Sequence, residues 1–408
     1  MRGNLDGVRV LDLTGEPGFF AGKLLGDMGA DVVKVERPRG EPARRRPPFR
    51  GDESVLWLAL NTSKRSAVLD WTTGAGRDAF LRLVERADVV LETERPGDLA
   101  RYALGWDVLH ARNPRLILGS ITPFGQTGPR AAWRGSDLTI VATSGNLHCT
   151  GDPDRAPLRC ALPVSYYHGS LEACAGIAFA LVARERTGAG QHVDVALQET
   201  MVMPNMATAS MAKMTGNRGA RAGAFFRQSK SVQREIWPCK DGYVSFALRG
   251  GPARIPGLVA MVTWMDEHGM ASEALRTKDW KAYNHNTLTQ AEVDALSAEF
   301  GAFFATKTMQ EIFDKAARDN LMIAPALTAK QITASKQLAA RSFFVDVVQA
   351  DGAPLRYPGA FAIRTDRAGT AEPIRIRRRA PRLGEHTAEV QAEAGFAPDE
   401  IARLGAAS

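Results

Sequence analysis

Short β-branched runs alternate with helix-period segments through the first half of this chain. That alternation restricts the fold more than any other feature. Val8 to Thr14 (VRVLDLT) reads as a strand, Gly18 to Met28 as a helix and Asp31 to Glu36 (DVVKVE) as a second strand. Pro38 to Asp52 is an irregular Pro/Arg/Gly loop, long enough to be functional. A short strand around Ser66 to Leu69 follows, then a helix over Thr73 to Ala87. Asp88 to Glu92 (DVVLE) and Leu116 to Ile121 (LILGSI) are further apolar strands. Leu138 to Leu147 and Leu171 to Arg184 read as helices, His192 to Leu197 as a strand and Gln198 to Lys213 as one long Met/Ala-rich helix. The expectation is an α/β, Rossmann-like large domain: a parallel sheet with helices on both faces.

Composition shifts after residue 214, and at 408 residues two domains are expected. The expected boundaries are 1–214 for the first part of the large domain, 215–230 for a linker and 231–324 for a smaller α+β domain. Residues 325–408 are then expected to return to the large domain and complete it. The small domain starts with a hairpin over Ile236 to Leu248 and a glycine loop, Arg249-Gly250-Gly251-Pro252. It ends with a helix over Met309 to Asn320, and Met322 to Leu327 leads back. Met201, Met203, Met206, Met211 and Met214 read as packing or interface rather than a cofactor box.

Several function classes drop out. No window of 18 uncharged apolar residues exists, which argues against a membrane span. The N-terminus enters a strand with no apolar leader, which argues against a signal peptide. The four cysteines form no C-x-x-C and the seven histidines no pair, so neither a disulfide framework nor a metal site is expected. A reducing cytoplasm fits. The net charge of +7 carries clusters at Arg44-Arg45-Arg46 and Arg375 to Arg379. These suit a generic basic surface or a phosphorylated small ligand. Without a recognition motif, nucleic acid is not expected.

The candidate chemistry centres on Leu162 to Ser170 (LPVSYYHGS), read as a compact turn entering the apolar segment LEACAGIAFALVAR. Such a turn presents a side chain next to helix-terminal N–H groups, and here that side chain is Tyr166. Ser136-Asp137 and Ser165-Tyr166 offer oxygens without an adjacent base, and no G-x-S-x-G elbow exists. His168 reads as a cap or surface residue more than as a base. The turn after the first strand spaces Gly15, Gly18 and Gly22 as G-x-x-G-x-x-x-G, with Phe19 and Phe20 inside. That argues against a dinucleotide site despite Glu36 at the end of the second strand. Lys64, Arg65, Arg37, Arg95, Arg101 and Arg134 lie next to strands or helix starts. Each alone is a surface cation; together they suggest a phosphate-binding surface.

The segments LDGVRVLDLT, GDMGADVVKVERP, NTSKRSAVLD, ADVVLETERPG, NPRLILGSITPFGQTGP, RERTGAGQHVDVAL and APRLGEHTAEV closely resemble the class III CoA-transferases. That family includes formyl-CoA transferase, carnitine CoA-transferase and α-methylacyl-CoA racemase. The resemblance spans essentially the whole chain. It implies a two-domain α/β subunit, its large domain built from both chain ends, that interlocks with a second subunit as a dimer. It implies coenzyme A or an acyl-CoA as substrate, no metal, and CoA contacts at Arg37, Leu69, Arg101 and Arg134. Thr93 and Glu94 replace the family's Asn-Phe beside the adenine. Glu16, His168, Gly250 and Gly251 fall at positions near the reacting thioester.

The family's nucleophile is an aspartate whose carboxylate attacks the acyl-CoA to give a mixed anhydride. Tyr166 occupies its position, and Ser136 occupies that of the racemase histidine. A phenol of pKa ~10 is largely neutral at pH 7 and would give an aryl ester instead. No catalytic residue is therefore expected in this chain. The resemblance is to an Asp-lacking subunit, such as that of succinyl-CoA:benzylsuccinate CoA-transferase. The implied partner is an Asp-bearing paralogue, and the implied reaction moves CoA from an acyl-CoA such as succinyl-CoA to a carboxylic acid such as benzylsuccinate. Two alternatives stand: a homodimeric CoA-ester lyase or isomerase using Tyr166, His168 or Glu16, and a non-enzymatic CoA-ester binding protein.

Overall fold

The computed structural model describes residues 3–216, 219–227, 230–359 and 361–401. Positions 217, 218, 228 and 229 of the expected linker, and 402–408 of the closing segment, lie outside the described residues. The chain forms two compact units. One comprises 1–147, 159–217 and 336–408, and the other 148–158 and 218–335.

The first unit is built on six parallel strands: β1 (Arg9–Asp12), β2 (Asp31–Glu36), β3 (Lys64–Val68), β4 (Val89–Glu92), β5 (Ile117–Thr122) and β6 (His192–Ala196). Their order is β3-β2-β1-β4-β5-β6. The chain runs outward from β1 in both directions, so a crevice opens between the carboxyl ends of β1 and β4. The apolar runs supply both faces. Leu11, Val33, Val35 and Val90 pack with Phe80, Leu83 and Val84 of α2 (Gly74–Val84). Val10, Val32, Val89 and Ile117 pack on the other face against Leu24 and Leu25 of α1 (Phe19–Asp27).

Helix α3 (Asp137–Thr143) and the 24-residue α4 (Val164–Thr187) lie on the α1 side, where Ala173, Ile177 and Ala180 are buried. α4 approaches the sheet closely. A Cβ at Gly169 would run into Leu197, and one at Gly176 into Val193. Gly188, at φ 74°, ends the helix and returns its N–H to Arg184 O at 2.8 Å.

This corrects the expected turn over Leu162 to Ser170: from Val164 onward it is the first two turns of α4. Pro163 precedes the helix, where a missing N–H costs nothing, and Gly169 is there for packing rather than bending. The helix is not buried all round, because Leu171, Phe179 and Val182 are exposed, Phe179 at 75%. The long Met/Ala helix is also corrected. Pro204 interrupts it with a 3-10 turn over Met203–Asn205, separating Leu197–Val202 from Met206–Thr215. Of its methionines Met201 is buried and Met203, Met206 and Met214 are exposed, while the Met211 side chain lies outside the described set. The loop from Pro38 contains a 3-10 turn over Pro42–Arg45 and a tight strand pair, Phe49–Arg50 with Glu53–Ser54. A helix, Val55–Leu60, follows it. Ser54 caps that helix by accepting the Trp57 N–H at 3.4 Å.

The second unit has the small antiparallel sheet β7 (Ile236–Cys239), β8 (Gly242–Phe246) and β9 (Ile323–Pro325). Helices α5 (Ile255–Glu267), α6 (Gln290–Ala305) and α7 (Met309–Asp319) cover a core of Trp237, Phe246, Met265, Phe300 and Phe304. Capping boxes start α6 at Thr289/Glu292 and α7 at Thr308/Glu311. β9 pairs with β8, so the run Met322 to Leu327 belongs to this sheet rather than leading out of the unit. Among the described residues no helix is long and apolar enough to cross a membrane.

Candidate active site

The crevice between β1 and β4 rests on a buried ionic floor. Lys64 Nζ lies 2.8 Å from Asp12 Oδ2 and also donates to Phe19 O and Asn61 Oδ1, both at 2.9 Å. Lys34 Nζ donates to Thr14 O at 2.5 Å and to Asp12 O at 3.2 Å. Burial opposes the Asp12 charge, but Lys64 and Lys34 outweigh it and hold the carboxyl below its ordinary range. These bonds pin the turn from Thr14 to Phe19, and with it Glu16. They also account for the glycine spacing: a Cβ at Gly22 would run into the Asp12 carboxylate. Glu36, at the end of β2, is fully engaged by Arg44 at 2.7 Å and Ser66 at 2.7 Å.

Above the floor is a cavity of about 660 Å³ lined by Leu13, Gly15, Lys34, Arg37, Glu41, Trp71, Thr93 and Glu94, among others. Its charges balance, with Lys34, Arg37, Arg39 and Arg45 against Glu36, Glu41, Asp70 and Glu94. The Arg37 guanidinium lies 4.9 Å from the Trp71 ring centre and 3.9 Å from Glu94 Oε1. Thr93 Oγ1 accepts the Gly15 N–H at 2.7 Å, tying the two strand ends together across the crevice. Beneath them the Glu92 carboxylate accepts the Glu94 N–H at 2.6 Å. Burial pushes the Glu92 carboxyl up to about 7, against the Ser120 and Glu94 N–H hydrogen bonds that favour its charge. Ser120 Oγ lies 2.9 Å from His192 Nε2, whose ring stacks on Trp106.

Of the expected CoA contacts, Arg37, Thr93 and Glu94 therefore line one cavity. The Leu69 side chain is buried in the core beside α2 and offers a ligand nothing but main chain. Arg101 is exposed and paired with Asp98 at 3.1 Å, and Arg134 is exposed; neither lines the cavity.

The second cluster lies at the start of α4. Ser136 caps α3: its Oγ accepts the Thr139 N–H, and Thr139 returns the bond. Asp137 is buried and serves α4, whose Pro163 cap has no side-chain acceptor. Asp137 Oδ1 accepts the Ser165 N–H at 3.0 Å and the Ser165 Oγ–H at 2.8 Å, a carboxylate at a helix N-terminus. In return the Asp137 N–H donates to Tyr166 Oη at 3.2 Å. Burial raises the Tyr166 phenol above its ordinary pKa. The Asp137 N–H opposes that rise, Glu16 and Asp137 add to it, and Arg46 works against it. Glu16 is ion-paired with Arg46. Tyr167 sits edge-on to Phe20 at 5.4 Å, and His168 is exposed.

Tyr166 is thus a neutral phenol, and the two carboxylates around it are engaged, Asp137 by Ser165 and Glu16 by Arg46. Gly250 and Gly251 follow β8 in the second unit, where the Gly250 N–H donates to His285 Nδ1 at 3.1 Å. Among the described residues no group of three or more His, Cys, Asp or Glu side chains is placed to hold a metal ion.

Sequence reasoning missed Trp71 and Glu41, and it named Arg46 only as one of a basic cluster. Trp71, two residues past Leu69, follows a strand as a ligand platform would. Nothing local distinguishes Arg46 from Arg44 and Arg45.

CoA-transferase family III matches residues 5–387. The succinyl-CoA:(R)-benzylsuccinate CoA-transferase subunit BbsE of Thauera aromatica is 34% identical, over 98% of this chain and 97% of its own length. A succinate–glutarate CoA-transferase of Agrobacterium fabrum is 31% identical, over 95% of each chain. Among solved structures, a CAIB/BAIF family protein from Brucella suis superposes with a TM-score of 0.80 at 30% identity, over 97% of this chain and all of that one. The fold, the crevice at the strand ends and these matches converge: this chain belongs to CoA-transferase family III.

Proposed function

We propose that this chain is the nucleophile-lacking subunit of a heteromeric CoA-transferase, and that an Asp-bearing paralogue supplies the attacking carboxylate. The observation that carries this reading is Tyr166. By the family resemblance it takes the aspartate position, and there it is a phenol tied to the Asp137 N–H, its pKa raised and the neighbouring Asp137 and Glu16 carboxylates engaged by Ser165 and Arg46. A CoA thioester would occupy the cavity lined by Arg37, Trp71, Thr93 and Glu94, with its acyl end toward Tyr166 and Glu16. The donor and acceptor would be a succinyl thioester and a substituted carboxylic acid such as benzylsuccinate. The relatives' names support this choice: BbsE is named as a subunit, and several others are named for succinyl-CoA or succinate.

The exposed apolar face of α4, with Leu171, Phe179 and Val182, supports an interlocked partner, since a contiguous apolar helix face is unfavourable in water. Purification from the native host tests the proposal. The expected product is a complex containing an Asp-bearing paralogue, active only with both chains present. A homodimer that turns over a CoA ester alone would overturn it. CoA binding without turnover, even after the paralogue is added, would favour a binding protein.

A further inference from the structure

Among the described residues, four carboxylates line the large cavity above the floor: Glu36, Glu41, Asp70 and Glu94. Three of them are held. Burial opposes the Glu36 charge, yet Arg44 and Ser66 keep that carboxyl below its ordinary range. Asp70 Oδ1 accepts the Thr72 N–H at 3.1 Å and the Thr72 hydroxyl at 2.5 Å. Glu94 lies 3.9 Å from the Arg37 guanidinium. Glu41 differs. Its main chain is tied, since its N–H donates to Glu36 Oε2 at 3.1 Å and its carbonyl accepts the Arg44 N–H at 3.0 Å. Its carboxylate has no hydrogen-bond or ion-pair partner among the described residues. That carboxylate reaches the turn after β1, where a Cβ on Gly15 would lie 3.8 Å from Glu41 Oε1.

The four acids are answered by Lys34, Arg37, Arg39 and Arg45, so a polyanion entering the cavity meets repulsion as well as attraction. The balance tips in its favour when one acid takes a proton. Protonating Glu36, Asp70 or Glu94 weakens a hydrogen bond or an ion pair, whereas protonating Glu41 breaks none. We propose that a polyanionic ligand such as coenzyme A enters this cavity together with a proton from solvent, and that Glu41 carries it. The inference rests on the CoA reading of the cavity and adds a proton to the binding step. The ligand strips water from a carboxylate that has no partner and sets negative charge beside it. Both effects favour the neutral acid, whose O–H can then donate to a ligand oxygen.

The free protein already leans this way. Burial raises the Glu41 carboxyl above its ordinary pKa; Lys34 of β2 opposes the rise, and Glu36 of the same strand, Asp12 of β1 and Glu94 after β4 add to it. Of the cations on its own loop, Arg37 faces Glu94 and Arg45 donates to Arg39 O at 2.7 Å. Ligand affinity is therefore highest below the pKa of Glu41 in the free protein, and falls as pH rises through its higher value in the complex.

The test is calorimetric titration of free coenzyme A into the full-length protein at pH 6, in MES and in imidazole, whose ionisation enthalpies differ. The dependence of the heat on the buffer counts the protons taken up. The wild type should take up roughly half a proton more than Glu41→Gln. Changes in the ligand's own phosphate protonation are common to both proteins and cancel. Glu41→Gln keeps both main-chain bonds of the residue. It should bind coenzyme A about fivefold more tightly than the wild type at pH 8, the scale of one close like charge removed, and the gap should narrow toward pH 5.5.

Equal proton uptake by the two proteins, or an affinity gap that does not change with pH, overturns the inference and leaves the CoA reading intact. Glu94→Gln is the control for the assignment: uptake lost there and kept in Glu41→Gln puts the proton on Glu94 and overturns the role of Glu41. Failure of coenzyme A to bind either the wild type or Glu41→Gln overturns the CoA reading itself, and this inference with it.

Discussion

Glu92→Gln isolates the electrostatic cost built into the floor of the crevice. Glu92 is buried at the end of β4, accepts the Glu94 N–H at 2.6 Å and has its carboxyl raised from 4.5 to about 7. Its folded pKa is above its unfolded one, so the native state holds the proton more tightly than the unfolded chain does. The associated stability is complete below the unfolded pKa and is lost as pH rises through the folded one. At about 1.4 kcal/mol for each pH unit, the gap between 4.5 and about 7 amounts to about 3 kcal/mol. Integrated between pH 5.5 and 8, the loss is about 2 kcal/mol. Glutamine keeps an acceptor for the Glu94 N–H and cannot ionise. Urea unfolding of both proteins at pH 5.5 and pH 8, followed by tryptophan fluorescence, should show the wild type losing about 2 kcal/mol relative to Glu92→Gln across that interval. A wild-type-to-variant difference that stays constant with pH would mean that Glu92 is already ionised at pH 5.5, and would refute the reasoning.

Four further outcomes are expected. Tyr166→Phe should leave the turnover of the two-subunit complex nearly intact while costing about 1 kcal/mol of stability, because the Asp137 N–H loses its acceptor; a large fall in kcat would give Tyr166 a chemical role. Tyr166→Asp should not by itself create a full second site, because Glu16 and Asp137 disfavour a third charge there; hydroxylamine trapping of an acyl anhydride on this chain would show otherwise. Glu94→Gln should tighten CoA binding about fivefold by removing a like charge near a polyanionic ligand and releasing Arg37, the scale of about 1 kcal/mol for one close charge pair; unchanged calorimetric affinity would remove Glu94 from the ligand's surroundings. Lys64→Met should destabilise the protein by about 3–5 kcal/mol in urea, since it leaves the fully buried Asp12 carboxylate with Lys34 as its one remaining cation, at 3.6 Å, and Asp12→Asn should recover part of that loss in the double variant.

The sheet was legible because its strands are apolar on both faces and short, so runs such as DVVKVE and DVVLE have no competing helical reading. The start of α4 was not. Pro163, Ser165, His168 and Gly169 look like turn chemistry, and only the close approach to Leu197 shows that Gly169 serves packing. The assignment of Tyr166 to the family's aspartate position rests on spacing to the basic Gly turn that ends α4. The phenol's engagement does not, because Asp137 lies 29 residues away and contributes a main-chain N–H that no side-chain pattern reveals. The strand-end cations were only half legible. Arg37 reaches the cavity because Trp71 and Glu94 hold it there, whereas Arg101 is drawn aside by Asp98 one turn earlier on its own short helix. Carboxylate pairings of that kind decide where an arginine points, and they depend on three-dimensional neighbours.

α4 also separates what holds the fold from what carries the chemistry. The residues that seat the helix are Ser165 against Asp137, Gly169 against Leu197, and Ala173, Ile177 and Ala180 in the core. The Tyr166 ring packs partly on the core beneath α4, and its far end bonds the Asp137 main-chain N–H. On the proposed reading, an exchange of aspartate for tyrosine at 166 would leave those seating contacts in place, and selection on assembly alone would then preserve the rest. On such a scaffold, the proposed retirement from catalysis would be a single-codon event that leaves the seating of the helix intact.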